Sequence, residues 1–133
     1  VMHRLLSYAR TFDLTVVTHA EDGGLTGQAV ATAGETASRL GLPAAPAAAE
    51  AMAIARDVAL VAETGARLHI RQVTTAAGFD AVRAAKARGL PVTCGITPAH
   101  LFLADNAVEG FRTFAHLSPP LRSEADRQAA SEA

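Results

Sequence analysis

The sequence predicts an α/β protein built from parallel βα units, and three observations carry that expectation. Short apolar, β-branched runs at 14–18, 66–73 and 91–96 read as strands. Stretches with helical spacing of apolar residues, at 2–12, 47–64 and 75–88, alternate with them. Gly65 and Gly89 close the second and third of these helices. Strands that alternate with helices imply a parallel sheet. Three strands are too few for a closed (β/α)8 barrel, which takes about 250 residues. The chain is therefore either a small open α/β sheet or a slice of such a barrel.

Each element has its own signal. Residues 2–12 place Leu5, Leu6 and Ala9 on one side of a helix, with Arg4 and Arg10 among the polar positions. The strand 14–18 leads into a loop from Glu21 that contains Gly23, Gly24, Gly27 and Gly34. A short helix over Glu35–Leu40 stops at Gly41, and "GLPAAP" reads as a rigid turn. In the helix from about Ala47 to Thr64, the charges Glu50, Arg56, Asp57 and Glu63 fall in one sector of roughly 140° on a helical wheel. The remainder of its surface is apolar, so most of it is expected to be buried. In the strand "ARLHIRQV", alternation puts Leu68, Ile70 and Gln72 on one face and His69, Arg71 and Val73 on the other. Helix 75–88 turns Phe79, Val82 and Ala85 inward and Asp80, Arg83 and Lys86 outward. Thr97 caps a further helix with Pro98 at its first position, and "SPPLRSEADRQA" is a turn into a last helix capped by Ser123.

Composition narrows the function classes. With 133 residues, half of them hydrophobic, the chain forms one modest domain with a real core. No apolar run approaches the ~20 residues of a membrane helix. A net charge of −1, spread along the chain, gives no nucleic-acid footprint. The single cysteine, Cys94, excludes an internal disulfide and fits a reducing, cytoplasmic compartment. The N-terminal stretch lacks the hydrophobic centre of a signal peptide, and the opening Val1 marks a fragment or a processed chain.

His19 stands where a strand ends, and in α/β folds ligands bind at the carboxyl ends of strands. The other polar residues have structural readings. Glu21 and Asp22 cap or brace the loop, His69 packs between strand and helix, and His100 satisfies a backbone group near a helix start. Cys94 is a small core residue, and Arg122 and Arg127 make solvent-facing pairs with Glu124 or Asp126.

Taken together, "HAED", "SRLGLP", "AEAMAIARD", "GARLHI", "VTTAA", "AKARGLPVT", "TPAHL" and "PPLRSEADR" resemble, in order, the middle of a dihydroorotase. The likeness is to the type related to hydantoinases and allantoinases, within the amidohydrolase superfamily, and runs from about His19 to Arg127. It implies that residues 1–133 are one segment of a (β/α)8 barrel contributing about three consecutive strands. It also implies a hydrolase of pyrimidine biosynthesis that interconverts carbamoyl aspartate and dihydroorotate, using zinc to polarise the amide carbonyl and activate water. Ligands in this family come from strand ends, and His19 occupies one such position, in "HAED".

Three departures from the family pattern bear on that implication. The family's His-x-x-His-Val-Ser becomes His69-Ile70-Arg71-Gln72-Val73-Thr74, so Gln72 replaces the second metal ligand. A neutral amide oxygen is a poorer zinc donor than imidazole. "E-x-T-P-H-H" becomes Gly95-Ile96-Thr97-Pro98-Ala99-His100, and "N-P-P-L-R" becomes "SPPLR", so Ser118 stands at the substrate-binding position of an Asn. The only lysine, Lys86, lies in mid-helix and cannot bridge two metals. The resemblance thus implies a dihydroorotase-type enzyme with a degenerate zinc site. The alternative is a non-catalytic dihydroorotase-like partner of aspartate carbamoyltransferase; an unrelated open α/β domain is a third reading. Under the first, His19 and Gln72 are expected at the carboxyl ends of neighbouring strands, facing one cavity.

Overall fold

The computed structural model describes residues 1–133 and runs α1 (Met2–Thr11), β1 (Thr15–Thr18), α2 (Gly23–Thr26), β2 (Ala31–Thr32), α3 (Glu35–Leu40), β3 (Ala44–Ala45), α4 (Ala48–Thr64), β4 (Arg67–Ile70), α5 (Ala76–Ala87), β5 (Val92–Cys94), α6 (Pro98–Phe102) and α7 (Glu124–Ser131). Two short 3₁₀ turns, Asp105–Val108 and Thr113–Ala115, fill the stretch before α7. The three expected strands pair side by side in the order β1-β4-β5, all parallel. The register sets Val17 beside His69 and His69 beside Thr93. "GLPAAP" is not only a turn: Ala44 and Ala45 pair in parallel with Ala31 and Thr32 in a second, two-stranded sheet. Alanines carry little strand propensity, so the pairing is dictated by the neighbouring backbone rather than by local sequence.

One face of the main sheet is covered by helices. Leu68, Ile70 and Val92 pack against Leu6 of α1, Ile54 and Val61 of α4, and Phe79 and Val82 of α5 in a single core. Alternation turns Thr15, Val17, Arg67 and Thr93 to the other face, where they are exposed; Val17 keeps 59% of its surface. Parallel sheets normally have both faces covered, so the open face is the unusual feature of this chain. His69 lies on it, with its Nδ1 2.8 Å from the Thr93 hydroxyl, and does not pack between strand and helix as expected from sequence.

The alternation expected for 66–73 fails at its end. Gly95 N–H donates to the Ile70 carbonyl, and Val73, rather than Gln72, donates back to the Gly95 carbonyl. One extra residue is therefore accommodated between Ile70 and Val73, as in a β-bulge. Val73 returns to the core at 0% exposure alongside Leu68 and Ile70, while Gln72 leaves their alignment and is half-buried.

Helix α4 departs from the sequence reading in a second way. Its buried residues, Ala49, Glu50, Ala53, Ile54, Asp57, Val58 and Val61, form one stripe that includes two carboxylates, whereas Met52 is exposed. Gly65, in the left-handed conformation at φ 68°, ends the helix as expected. In α1, Leu6 and Ala9 are buried but Leu5 is largely exposed.

Glu50 is buried because every oxygen is matched. Its Oε1 accepts from the backbone N–H groups of Thr74 and Thr75, each at 2.9 Å, and from the Thr75 hydroxyl at 2.8 Å. Its Oε2 accepts from the Thr74 hydroxyl and from Arg122 Nη2 at 3.3 Å. Arg122, 3% exposed, also donates Nε to Thr74 Oγ1 (2.9 Å) and Nη1 to Thr32 Oγ1 (3.1 Å). Arg122 is thus an interior residue. The expected solvent pair forms only at Arg127, whose guanidinium, with Gln128, holds the Glu124 carboxyl down to about 2.

Two outcomes follow for stability. A Cβ on Gly78 would lie 2.7 Å from Glu50 Oε1 and 2.9 Å from both Thr75 Oγ1 and Val73 Cγ1. Gly78→Ala is expected to cost about 2–3 kcal/mol through overpacking, read as a lower urea midpoint. Arg122→Met leaves Glu50 without its ionic partner and is expected to cost about 3–5 kcal/mol. A midpoint unchanged from wild type would show that the pair contributes nothing.

Candidate functional site

The strand ends bring the sequence candidates to one side of the molecule. β1 and β4 are adjacent and parallel, so His19, one residue past β1, and Gln72, two past β4, leave neighbouring carboxyl ends. His19 is exposed, and its Nε2 lies 3.4 Å from Glu21 Oε2. Gln72 Oε1 is buried and has no hydrogen-bond partner, as is the Thr18 hydroxyl at the end of β1. Buried polar atoms are normally paired, so two orphans at adjacent strand ends mark this region as polar and unsatisfied.

Ser118 sits in the loop between the second 3₁₀ turn and α7, before Pro119, and is exposed. It lines a cavity of about 210 Å³ with Glu21, Thr26, His116 and Pro120. Glu21 lies within reach of His19 and also on the wall shared with Ser118. Neither His19 nor Gln72 lines that cavity.

The zinc implied by the resemblance is not matched by the donors this chain supplies. His19 offers one imidazole beside a carboxylate, and Gln72 offers a neutral amide oxygen. No three His, Cys, Asp or Glu side chains converge so as to hold a metal ion. Zinc sites use three or four nitrogen, sulfur or carboxylate ligands, and the residues present fall short of that number.

The remaining polar residues hold the loops. Asp22 caps α2, accepting from the N–H groups of Gly24 (2.9 Å) and Leu25 (3.2 Å), as expected. Thr97 caps α6, with Pro98 in its first turn. His100 satisfies a backbone group, with Nε2 2.9 Å from the Pro119 carbonyl and Nδ1 2.7 Å from the Thr97 hydroxyl. Cys94 borders the core, where burial pushes its thiol up. The residues that sequence reasoning missed are Glu50, Thr74, Thr75 and the interior role of Arg122. The signal was available: Glu50 and Asp57 fall in the same i, i+3, i+4 pattern as Ala53, Ile54 and Val61.

Burial, partly offset by the hydrogen bond to Pro119, lowers the pKa of His100 below its ordinary value of 6.5. Between the folded and unfolded pKa values the unfolded chain binds more protons, so stability falls as pH drops below about 6.5 and is fully present above it. Urea midpoints at about pH 8 and pH 5.5 should show this loss in wild type. A His100→Gln variant should show less of it, and an equal loss in both would exclude His100 as its source.

Comparison with known proteins agrees with this geometry. The family described as Dihydro-orotase-like matches residues 1–77. A dihydroorotase-like protein of Pseudomonas aeruginosa is 47% identical over the whole chain, which spans 31% of that protein. A dihydroorotase of Syntrophotalea carbinolica is 46% identical over 99% of the chain, again 31% of the relative. Among solved structures, a D-hydantoinase (dihydropyrimidinase) from Thermus sp. superposes with a TM-score of 0.83 and 26% identity, covering 98% of this chain and 30% of that one. The chain spans about a third of the length of its relatives, and with more than half of its residues matched it belongs to the dihydroorotase-like family.

Proposed function

We propose that residues 1–133 form a single segment of a (β/α)8 barrel in a dihydroorotase-type cyclic amidohydrolase, an enzyme that opens or closes the ring amide of dihydroorotate and carbamoyl aspartate. The observation that carries this reading is the placement of His19 and Gln72 at adjacent carboxyl ends of a parallel sheet with one open face. In a barrel that open face is the inward one, and strand carboxyl ends are where such barrels place their chemistry. Ser118, on a cavity wall with Glu21, supplies a hydroxyl for substrate. His19 is the metal-ligand position retained by this chain, and Gln72 is the one lost. The protein acts in the cytoplasm, in keeping with its free cysteine.

Metal retention and turnover test this. After identical zinc loading and gel filtration, the protein at its natural length should retain less than one zinc per chain. Gln72→His should raise apparent affinity by more than about tenfold and increase dihydroorotate turnover. Residues 1–133 alone should show no carbamoyl aspartate formation. If neither protein retains zinc or turns over substrate, and wild type co-purifies with aspartate carbamoyltransferase, the enzyme reading fails in favour of a non-catalytic partner.

A further inference from the structure

The carboxylate of Glu21 is divided between two neighbours. Its Oε2 lies 3.4 Å from Nε2 of His19, and its Oε1 lies 3.8 Å from Nη2 of Arg122. That guanidinium is itself fixed in the interior by Glu50, Thr74 and Thr32. A single line of polar contacts therefore runs from the buried centre of the molecule, through Glu21, to an imidazole that is otherwise exposed at the end of β1. Thr32 is tied in turn, its hydroxyl donating to the Leu121 carbonyl at 2.9 Å. Arg122 is thus held by contacts that do not involve Glu21, and the carboxylate pairs with a fixed charge.

We propose that Arg122 is a positioning residue for His19, acting through Glu21, and that together they hold the ring with N–H at Nε2 and the lone pair at Nδ1. A carboxylate accepts and does not donate, so the contact requires a proton on Nε2. In the neutral ring that leaves Nδ1 as the only acceptor. The rotamer freedom of an exposed histidine is reduced by a long hydrogen bond to a carboxylate that itself pairs with a fixed guanidinium. Arg122 is read from sequence as a surface residue; its interior position makes it the anchor of this arrangement. The inference rests on His19 being a site residue, but the contacts belong to the metal-free chain.

The Nε2–H resonance of His19 in the full chain, followed by ¹⁵N-resolved NMR at about pH 8, tests this without metal or substrate. In wild type it should be visible and exchange slowly with water. Glu21→Ala should speed that exchange by about three- to tenfold, the equivalent of losing one hydrogen bond of modest strength. Arg122→Lys should produce a smaller increase in the same direction. The Nε2–H of His100, held by the Pro119 carbonyl, is the internal control for an intact fold. If Arg122→Lys loses that control signal, Thr32→Val, which removes one acceptor of the guanidinium, takes its place and should also speed exchange at His19. A His19 signal absent in wild type, or unchanged in Glu21→Ala, overturns the proposal. So does a change in Glu21→Ala with none in either Arg122→Lys or Thr32→Val. Zinc retention and turnover, measured separately, decide whether His19 is a ligand, so the two readings fail independently.

Discussion

The ion pair between Glu50 and Arg122 is the contact on which the placement of the loops depends. It joins the first turn of α4, the residues that start α5, the short strand β2 and the segment that follows Pro119. A charged pair taken out of water is costly unless its remaining donors and acceptors are matched. Here Glu50 receives five donors, and the guanidinium reaches two threonine hydroxyls besides. The segment that follows Ser118 is thereby tied to α4 and β2. Gly78 is part of the same constraint, since the carboxylate occupies the volume that a side chain there would need.

The parallel sheet supplies the other half of the arrangement. Parallel pairing sends the ends of β1, β4 and β5 to the same side, and the extra residue between Ile70 and Val73 detaches Gln72 from the core alignment at that edge. Bulges commonly re-aim a side chain next to a functional site. The cost of this one is visible in the unpaired Gln72 carbonyl oxygen. A histidine at 72 would present an imidazole donor where this protein presents an amide, whose oxygen is a poorer metal ligand.

Much of the fold is legible in the sequence because its elements are signalled locally. Glu35–Leu40 with Gly41, Thr97 with Pro98, and Ser123 ahead of α7 are each set by capping chemistry within a few residues, and each forms where the pattern predicts. The β2–β3 pairing is not legible, because three alanines and a threonine gain their strand geometry only from each other. The face taken by Val73 is hidden for a different reason: alternation assumes an uninterrupted ladder, and the extra residue is seen only in the hydrogen bonds to Gly95. Motif position singles out His19, Gln72 and Ser118 as candidates, but not Arg122. Its acidic neighbours in sequence, Glu124 and Asp126, suggest a surface pair, while its actual partner lies 72 positions away. The distant partner leaves no local trace at Arg122 itself.

The one-sided sheet also has a consequence for association. β1 and β5 are the two outer strands of the three, and each carries backbone donors and acceptors along the rim that faces away from β4. Such rims accept further strands from any chain that offers them. In the barrel proposed above, adjoining βα units would seal both rims and cover Val17. A chain of these three strands alone presents two open borders and, on its uncovered face, Val17 among Thr15, Arg67, His69 and Thr93. Pairing along these borders is therefore the route to association that such a three-stranded chain leaves open.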